Sequence, residues 1–437
     1  MHLTSAVRIT AIVCLFAALT QRGWAQEYER EPIDYSKAEP KNRFSELVER
    51  LHSGKAQLAY EPHFGFLRSL LKELKISESS QMLVFSKTSL QRHRISPETP
   101  RALYFRDDIY IGFCQQGDVL EVSAVDPQLG AVFYTVDQVK AESPRIVRQG
   151  DNCLICHSSS QTKEVPGHLV RSLFVDPSGM PMLAAGSHRI DHTSPLETRW
   201  GGWYVTGTHG SQKHLGNLVI SGPSVPDNVD NSAGMNRTKL DNRLAPSDYL
   251  SGHSDLVALM VLEHQADAQN LITRANFATR QALYSQQTLN REMGEPPDHV
   301  WESTHSRIKG AAEPLVEYLL FCGEAPLTHR VQGTSGFAEE FAQQGPRDHQ
   351  GRSLRDFDLE RRMFKYPCSY LIYSASFQAL PADAKDYVLR RMWEVLSGHD
   401  QSKQFAHLTA SDRRAILEIL RDTLPNLPDS WQPKTGS

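Results

Sequence analysis

The chain has 437 residues, of which 40% are hydrophobic and 22% are charged, and this composition excludes collagenous, coiled-coil and wholly disordered proteins. Its 47 lysine and arginine residues nearly balance its 51 aspartate and glutamate residues, for a net charge of -4. This balance indicates neither a nucleic-acid-binding protein nor an acidic tail, so we expect no nucleic-acid partner.

The start of the chain has the pattern of a secretory signal peptide, which we place over residues 1–25. Arg8 precedes an apolar run at residues 9–19. This run is too short to cross a bilayer core, which needs about 20 residues. Gly23 and Ala25 are small residues of the kind that signal peptidase requires. We therefore expect a periplasmic mature protein that begins at Gln26 and has no transmembrane segment.

The next region, residues 26–143, combines helical and strand patterns. Apolar residues recur at helical spacing between residues 42 and 75, with Pro62 and Gly65 between the two halves of the pattern. This predicts two helices. Between residues 82 and 139, short β-branched and aromatic runs alternate with polar turns, which predicts an antiparallel β-meander.

Two regions with little helical signal follow. Residues 144–220 are loop-rich, although the segments 169–175 and 180–184 flank a turn and predict one more hairpin. Residues 221–250 are dense in Ser, Pro, Asn, Asp and Gly, which predicts a long loop.

The region from residue 251 to residue 425 has mostly helical patterns. Ser254 is the predicted cap of a long helix that runs, with an interruption, to about Glu292. Gly398 ends a second predicted helix, and Thr409 with Asp412 opens a third. Residues 426–437 form a polar tail. The predicted fold class is α+β, and the length predicts two or three domains at roughly 150 residues each.

The most informative residues form the run Cys153-Leu154-Ile155-Cys156-His157, a C-x-x-C-H motif. Two thiols at this spacing can add to the two vinyl groups of one haem, and the adjacent imidazole can then ligate the iron. The motif occurs once, so we expect one covalently bound haem c. Cys153, Cys156 and His157 are the predicted cofactor-binding residues, and His157 is the predicted iron ligand.

Other uses of the two cysteines remain open as alternatives. A zinc ribbon requires a second cysteine pair, whereas Cys114, Cys322 and Cys368 are isolated in the sequence. A thioredoxin-like dithiol lies at the start of a helix in a βαβ unit, whereas residues 158–167 are rich in Ser, Thr, Pro and Gly. A plain structural disulfide between Cys153 and Cys156 is the third alternative.

Through this motif the sequence resembles c-type cytochromes, and the stretch from residue 101 to residue 217 resembles a group of uncharacterised exported bacterial proteins with a single such motif. The resemblance implies thioether attachment through Cys153 and Cys156, axial ligation by His157, and maturation in the periplasm. A hairpin is predicted after the motif. We therefore expect a central haem-binding segment and a helical C-terminal part, and not the compact fold of small cytochromes c.

The second axial ligand is open at this point. Six of the 18 histidines lie within 58 residues of the chain: His157, His168, His188, His192, His209 and His214. This enrichment favours imidazole as the second ligand. The candidates are His168, which follows a Pro-Gly turn, His264 on the predicted long helix, Met180 and Met182.

Two further patterns have weaker interpretations. Arg171, Arg189 and Arg199 are candidate partners of haem propionates, because a guanidinium group binds a carboxylate in a bidentate manner. Ordinary salt bridges are the alternative for each of them. The run of residues 200–204, Trp-Gly-Gly-Trp-Tyr, is interpreted as part of the core.

The favoured function is that of a periplasmic electron-transfer cytochrome with both axial positions filled. The alternative is a haem-dependent redox enzyme of peroxidase or oxygenase type with an open distal site, and a haem-based sensor of diatomic ligands is a third. The expected partner is a redox protein or a small-molecule electron donor or acceptor.

Overall fold

The computed structural model describes residues 27–240 and 244–432. The predicted signal peptide, residues 1–25, lies outside the described residues. The fold is α+β, as predicted, with an antiparallel sheet in the first half of the chain and most of the helical residues in the second half.

The main sheet is an antiparallel meander of six strands in chain order. The strands are β1 (Met82–Val84), β2 (Arg101–Arg106), β3 (Ile109–Phe113), β4 (Val119–Asp126), β5 (Gly130–Asp137) and β6 (Ile146–Gln149). The meander is confirmed, because each strand pairs with the next one along the chain. The polar turns between the apolar runs therefore act as hairpin connections.

The two faces of this sheet have different neighbours. One face packs against the two predicted N-terminal helices, which are α1 (Arg43–His52) and α2 (Leu67–Leu74). The ring of Phe44 in α1 lies 4.8 Å from that of Tyr134 in β5. The opposite face has Gly112 beside Glu121 and Ser123 beside Phe133, according to the strand register. This second face is the one on which the candidate site is built.

The motif lies in a short helix, α3 (Asp151–His157), that follows β6 directly. After it, β7 (Arg171–Ser172) pairs with β8 (His188–Arg189). The predicted turn at residues 176–179 is present, with the Gly179 amide donating to the Asp176 carbonyl oxygen. The predicted hairpin is present in part: Val175 and Pro181 form an antiparallel bridge, and the Met182 amide donates to the Phe174 carbonyl oxygen, but residues 183–185 form a 3-10 turn.

The long predicted helix is α4 (Leu256–Met293), and it is continuous rather than interrupted. Its cap is Asp255 and not Ser254, since the Asp255 side chain accepts hydrogen bonds from the amides of Val257 and Ala258. Ser254 instead donates to the Tyr204 carbonyl oxygen at 2.6 Å. It thereby ties the start of α4 to the segment before it.

The C-terminal part packs further helices against α4. They are α5 (Glu302–Leu319), α6 (Phe337–Ala342), α7 (Ala375–Gln378), α8 (Ala382–Leu396) and α9 (Ala410–Thr423). Thr409 and Asp412 form the capping box of α9, as their spacing predicts. The described end of the polar tail is anchored, because Trp431 is fully buried. Within residues 27–240 and 244–432, no helix combines the length and the apolar character needed to cross a membrane.

Candidate haem site

The motif helix presents both of its thiols on one side. Cys153 and Cys156 are three positions apart, so they lie one helical turn from each other on the same face of α3. Cys156 is exposed and Cys153 is half-buried, and both are free thiols. Leu154 is buried and anchors the helix from its other side. The Cys156 side is therefore open to solvent, whereas Cys153 packs partly against the core.

A backbone carbonyl fixes the orientation of the His157 imidazole. Nδ1 of His157 lies 3.0 Å from the carbonyl oxygen of Gly167. A carbonyl oxygen can only accept, so Nδ1 carries the proton and Nε2 keeps its lone pair. Burial lowers the pKa of His157, which favours the neutral ring. This is the tautomer that a metal-ligating histidine requires.

The neighbouring sheet residues support the same imidazole. The ring of Phe133 lies 4.8 Å from that of His157 and 6.3 Å from that of His168. Both rings therefore pack against one aromatic side chain of β5. The contact places the end of α3 over the second face of the sheet.

His168 is bonded to the sheet through one of its two ring nitrogens. Its Nε2 lies 2.8 Å from the Ser123 hydroxyl, and its ring packs against Tyr110 at 4.3 Å. Its Nδ1 is buried and has no hydrogen-bond partner. Burial lowers the pKa of His168 to about 3. These contacts disfavour His168 as a second axial ligand.

His264 is a satisfied core histidine. Its Nδ1 lies 2.8 Å from Nδ1 of His192, and its Nε2 lies 2.8 Å from the Ser369 hydroxyl. Its side chain is completely buried in α4. Because both ring nitrogens already have partners, this candidate is also disfavoured as an axial ligand.

The histidine-rich stretch therefore does not form one site. His209 and His214 form a separate buried pair, with ring centroids 4.8 Å apart, and His188 is exposed. Met180 is 51% exposed at the tip of the turn, and Met182 is partly exposed. Of the named candidates, the two methionines are the ones whose side chains are not held in the core.

The three arginines proposed for propionates have protein partners. Arg189 forms ion pairs with Asp191 at 3.0 Å and with Asp267 at 2.7 Å. Arg199 pairs with the buried Glu263. The third, Arg171, donates to the Ser187 hydroxyl at 2.9 Å. Ordinary structural pairing thus explains Arg189 and Arg199.

One arginine that the sequence pattern does not single out acts on the motif. Arg101 pairs with Glu121 at 2.6 Å on the second face of the sheet. Its guanidinium lies over Gly112, where an added Cβ would be 2.3 Å from Nη2. Burial is the main cause of the lowered pKa of His157. The positive charge of Arg101 lowers this pKa further, whereas the negative charge of Glu121 raises it. Strand register assembles this pair, which is why spacing along the chain does not reveal it.

The aromatic run at residues 200–204 belongs to the core, as interpreted from the sequence. Trp200, Trp203 and Tyr204 are all buried. The indole N–H of Trp200 donates to Glu263 at 3.2 Å, and that of Trp203 donates to the Arg171 carbonyl oxygen at 2.8 Å. The cluster therefore serves packing and hydrogen bonding.

The zinc and dithiol alternatives lack their expected surroundings. In the described part of the chain, His, Cys, Asp and Glu side chains do not gather in threes in a way that could hold a metal ion. Cys114, Cys322 and Cys368 are separate buried thiols. The strand before α3 belongs to an antiparallel meander and not to a βαβ unit. The predicted disulfide alternative is absent between Cys153 and Cys156, which are free.

No protein-family model, no curated protein and no solved structure matches the chain. The interpretation therefore depends on the chemistry of the donor set. Two free thiols one turn apart, beside an imidazole whose Nε2 keeps its lone pair, fit covalent attachment of one haem.

Proposed function

We propose that the protein is a periplasmic c-type cytochrome that carries one covalently bound haem and transfers electrons. The observation that carries this proposal is the combination of the free thiols of Cys153 and Cys156 with the oriented imidazole of His157. When bound, the haem supplies a one-electron ferric/ferrous couple. The periplasmic location depends on the signal-peptide pattern of residues 1–25.

The residues of the site have distinct roles in this proposal. Cys153 and Cys156 form the thioether bonds, and Nε2 of His157 is the axial ligand. Gly167 holds the proton on Nδ1 of His157 through its carbonyl oxygen. Phe133 packs against the imidazole and limits its rotation. The partner is a redox protein or a small-molecule electron donor or acceptor.

A second candidate function is a haem-dependent redox enzyme of peroxidase or oxygenase type. The observation that favours it is that His168 and His264 are both held by other side chains. A distal position without a protein ligand would be open to a small oxidant. The two functions share the attachment residues and differ only on the distal side.

Mass spectrometry of protein produced together with c-type maturation machinery tests the attachment. We expect one haem per chain that survives acid-acetone extraction. Changing Cys153 and Cys156 together to Ala should abolish attachment, whereas the matched variant Cys114→Ala should keep it. A purified chain with the mass of the bare polypeptide would contradict the proposal. N-terminal sequencing should find Gln26 as the first residue.

A further inference from the structure

We propose that Asn270, on the long helix α4, is a positioning residue that orients the axial imidazole of His157. The inference depends on the proposed haem function and extends it to a residue more than one hundred positions from the motif. Asn270 does not touch His157. It acts through the peptide group that links Gly167 to His168.

Both ends of the Asn270 amide are bonded to the backbone of one residue. Oδ1 accepts a hydrogen bond from the His168 N–H at 2.8 Å, and Nδ2 donates to the His168 carbonyl oxygen at 2.8 Å. The Asn270 side chain is 1% exposed. Water therefore does not compete for these bonds, and the backbone at His168 is held at two points.

The planarity of the peptide bond transmits this restraint. The His168 N–H and the Gly167 C=O belong to one rigid peptide plane and point in opposite directions. Asn270 holds the N–H at one end, so the C=O at the other end is aimed at Nδ1 of His157, 3.0 Å away. The two hydrogen bonds also polarise the same peptide group, and each strengthens the other.

The absence of a side chain at residue 167 makes this contact possible. A Cβ on Gly167 would lie 2.1 Å from Oδ1 of Asn270 and 3.2 Å from Cβ of Thr162. The φ of Gly167 is not in the left-handed region. Steric room for the Asn270 amide, and not backbone conformation, is therefore the reason for glycine here.

The loop after the motif has a second attachment to the same face of α4. Lys163 lies 3.6 Å from Asp267, which is one turn before Asn270 on the helix. Asp267 is buried and also pairs with Arg189 at 2.7 Å. The segment between residues 158 and 168 is thus held to α4 at two places. Helix α4 therefore fixes the position of the segment that bonds to His157.

The expected effect is on the haem reduction potential. A strong hydrogen bond from Nδ1–H makes an imidazole a better electron donor, which stabilises the ferric state. Changing Asn270 to Ala frees the Gly167 carbonyl and weakens that bond. We expect the equilibrium constant for reduction to rise about tenfold, which corresponds to ~59 mV for a one-electron couple.

Potentiometric titration of haem-loaded Asn270→Ala tests the inference, with Asn276→Ala as the matched control. Asn276 is a buried amide on the same helix whose bonds go to the Pro127 and Ala379 carbonyl oxygens at 3.4 Å. We expect a positive shift in the first variant and no shift in the control. An unchanged potential in Asn270→Ala, or equal shifts in both variants, would overturn the inference.

Gly167→Ala gives an independent test if Asn270→Ala does not fold. The added methyl group displaces the Asn270 amide and should shift the potential in the same direction. An unshifted potential in Gly167→Ala overturns the inference as well. If the wild type carries no covalent haem, both the proposed function and this inference are contradicted. If the wild type carries haem and the variants have unshifted potentials, only the inference is contradicted.

Discussion

His192 and His264 share a hydrogen bond between their Nδ1 atoms, which lie 2.8 Å apart in the interior of the protein. One ring must donate and the other must accept, so a proton added to the accepting nitrogen would break the bond. Burial lowers the pKa of His192, and the nearby positive charge of Arg199 lowers it further. The pair is therefore stable only while both rings are neutral.

The buried histidines predict a protein that loses stability in acid. Burial lowers the pKa of His192 and of His214 to about 3, below the unfolded value of about 6.5. Between these values the unfolded chain binds protons that the native chain does not. The contribution of each ring to stability is therefore complete above pH 6.5, and it should fall by about 1.4 kcal/mol per pH unit as the pH drops toward 3.

Urea unfolding at pH 7, 6 and 5 measures this dependence. His214→Asn should reduce the slope of the free energy of unfolding against pH by the equivalent of one proton. His399 is exposed, so the control variant His399→Asn should leave this slope unchanged. The same pH dependence of the free energy of unfolding in His214→Asn and His399→Asn would show that the His214 ring is not buried as a neutral group.

The ion pair between Arg199 and Glu263 should be costly to break. Glu263 is completely buried and also accepts the Trp200 indole N–H at 3.2 Å. We expect Glu263→Ala to lower the free energy of unfolding by ~3–5 kcal/mol, because Arg199 is left as an uncompensated buried charge. Glu73→Ala, which removes the partly exposed partner of Arg50, should cost at most about 1 kcal/mol. Equal losses in both variants would contradict this account.

The carboxylate of Glu121 should influence the haem potential. It lies on the sheet face beside the motif, paired with Arg101 at 2.6 Å. Removing its negative charge in Glu121→Gln destabilises the ferric state, so the reduction potential should become more positive. Asp118→Asn is the control, because Asp118 is 70% exposed and solvent screens its charge. A negative shift in Glu121→Gln would contradict the expected sign.

The engaged histidines predict that neither His168 nor His264 is an axial ligand. We expect the ferric spin state and the Soret position to be the same in His168→Asn and His264→Asn as in the wild type. A change to a high-spin spectrum in either variant would identify that residue as the ligand. Loss, in Met180→Ala or Met182→Ala, of the weak long-wavelength absorption band that marks sulfur ligation of ferric haem would instead identify a methionine ligand.

Carbon monoxide distinguishes the two proposed functions. A ferrous protein whose two axial positions are filled reacts slowly or not at all, as expected for the electron carrier. Rapid binding by the wild type would transfer our preference to the enzyme with an open distal site. The matched sample is protein loaded with haem and supplied with imidazole, which closes an open distal position.

Local patterns predicted the elements of the fold well. The meander follows from apolar runs separated by polar turns, and the cap of α9 follows from Thr409 and Asp412. The cap of α4 was assigned one residue early, because Ser254 and Asp255 are both good capping residues and only the contact with Tyr204 distinguishes them. Helix α5 was not predicted, and its interior Pro314 is a residue that usually ends a helix.

The surroundings of the motif could not be predicted in the same way. Arg101 meets Glu121 through strand register, and Asn270 meets His168 across 102 positions of the chain. Spacing along the sequence carries no signal for either contact. The excess of histidine between residues 157 and 214 does not correspond to one cluster, because His209 pairs with His214 and His192 pairs with His264.

The contact between His168 and Asn270 forms late, because the two residues lie 102 positions apart in the chain. In a chain that is exported N-terminus first, the motif emerges before α4, because Asn270 lies 102 positions after His168. Until α4 follows, the backbone of His168 lacks both hydrogen bonds with Asn270. Whatever reacts with Cys153 and Cys156 can therefore meet them before the protein closes around His157.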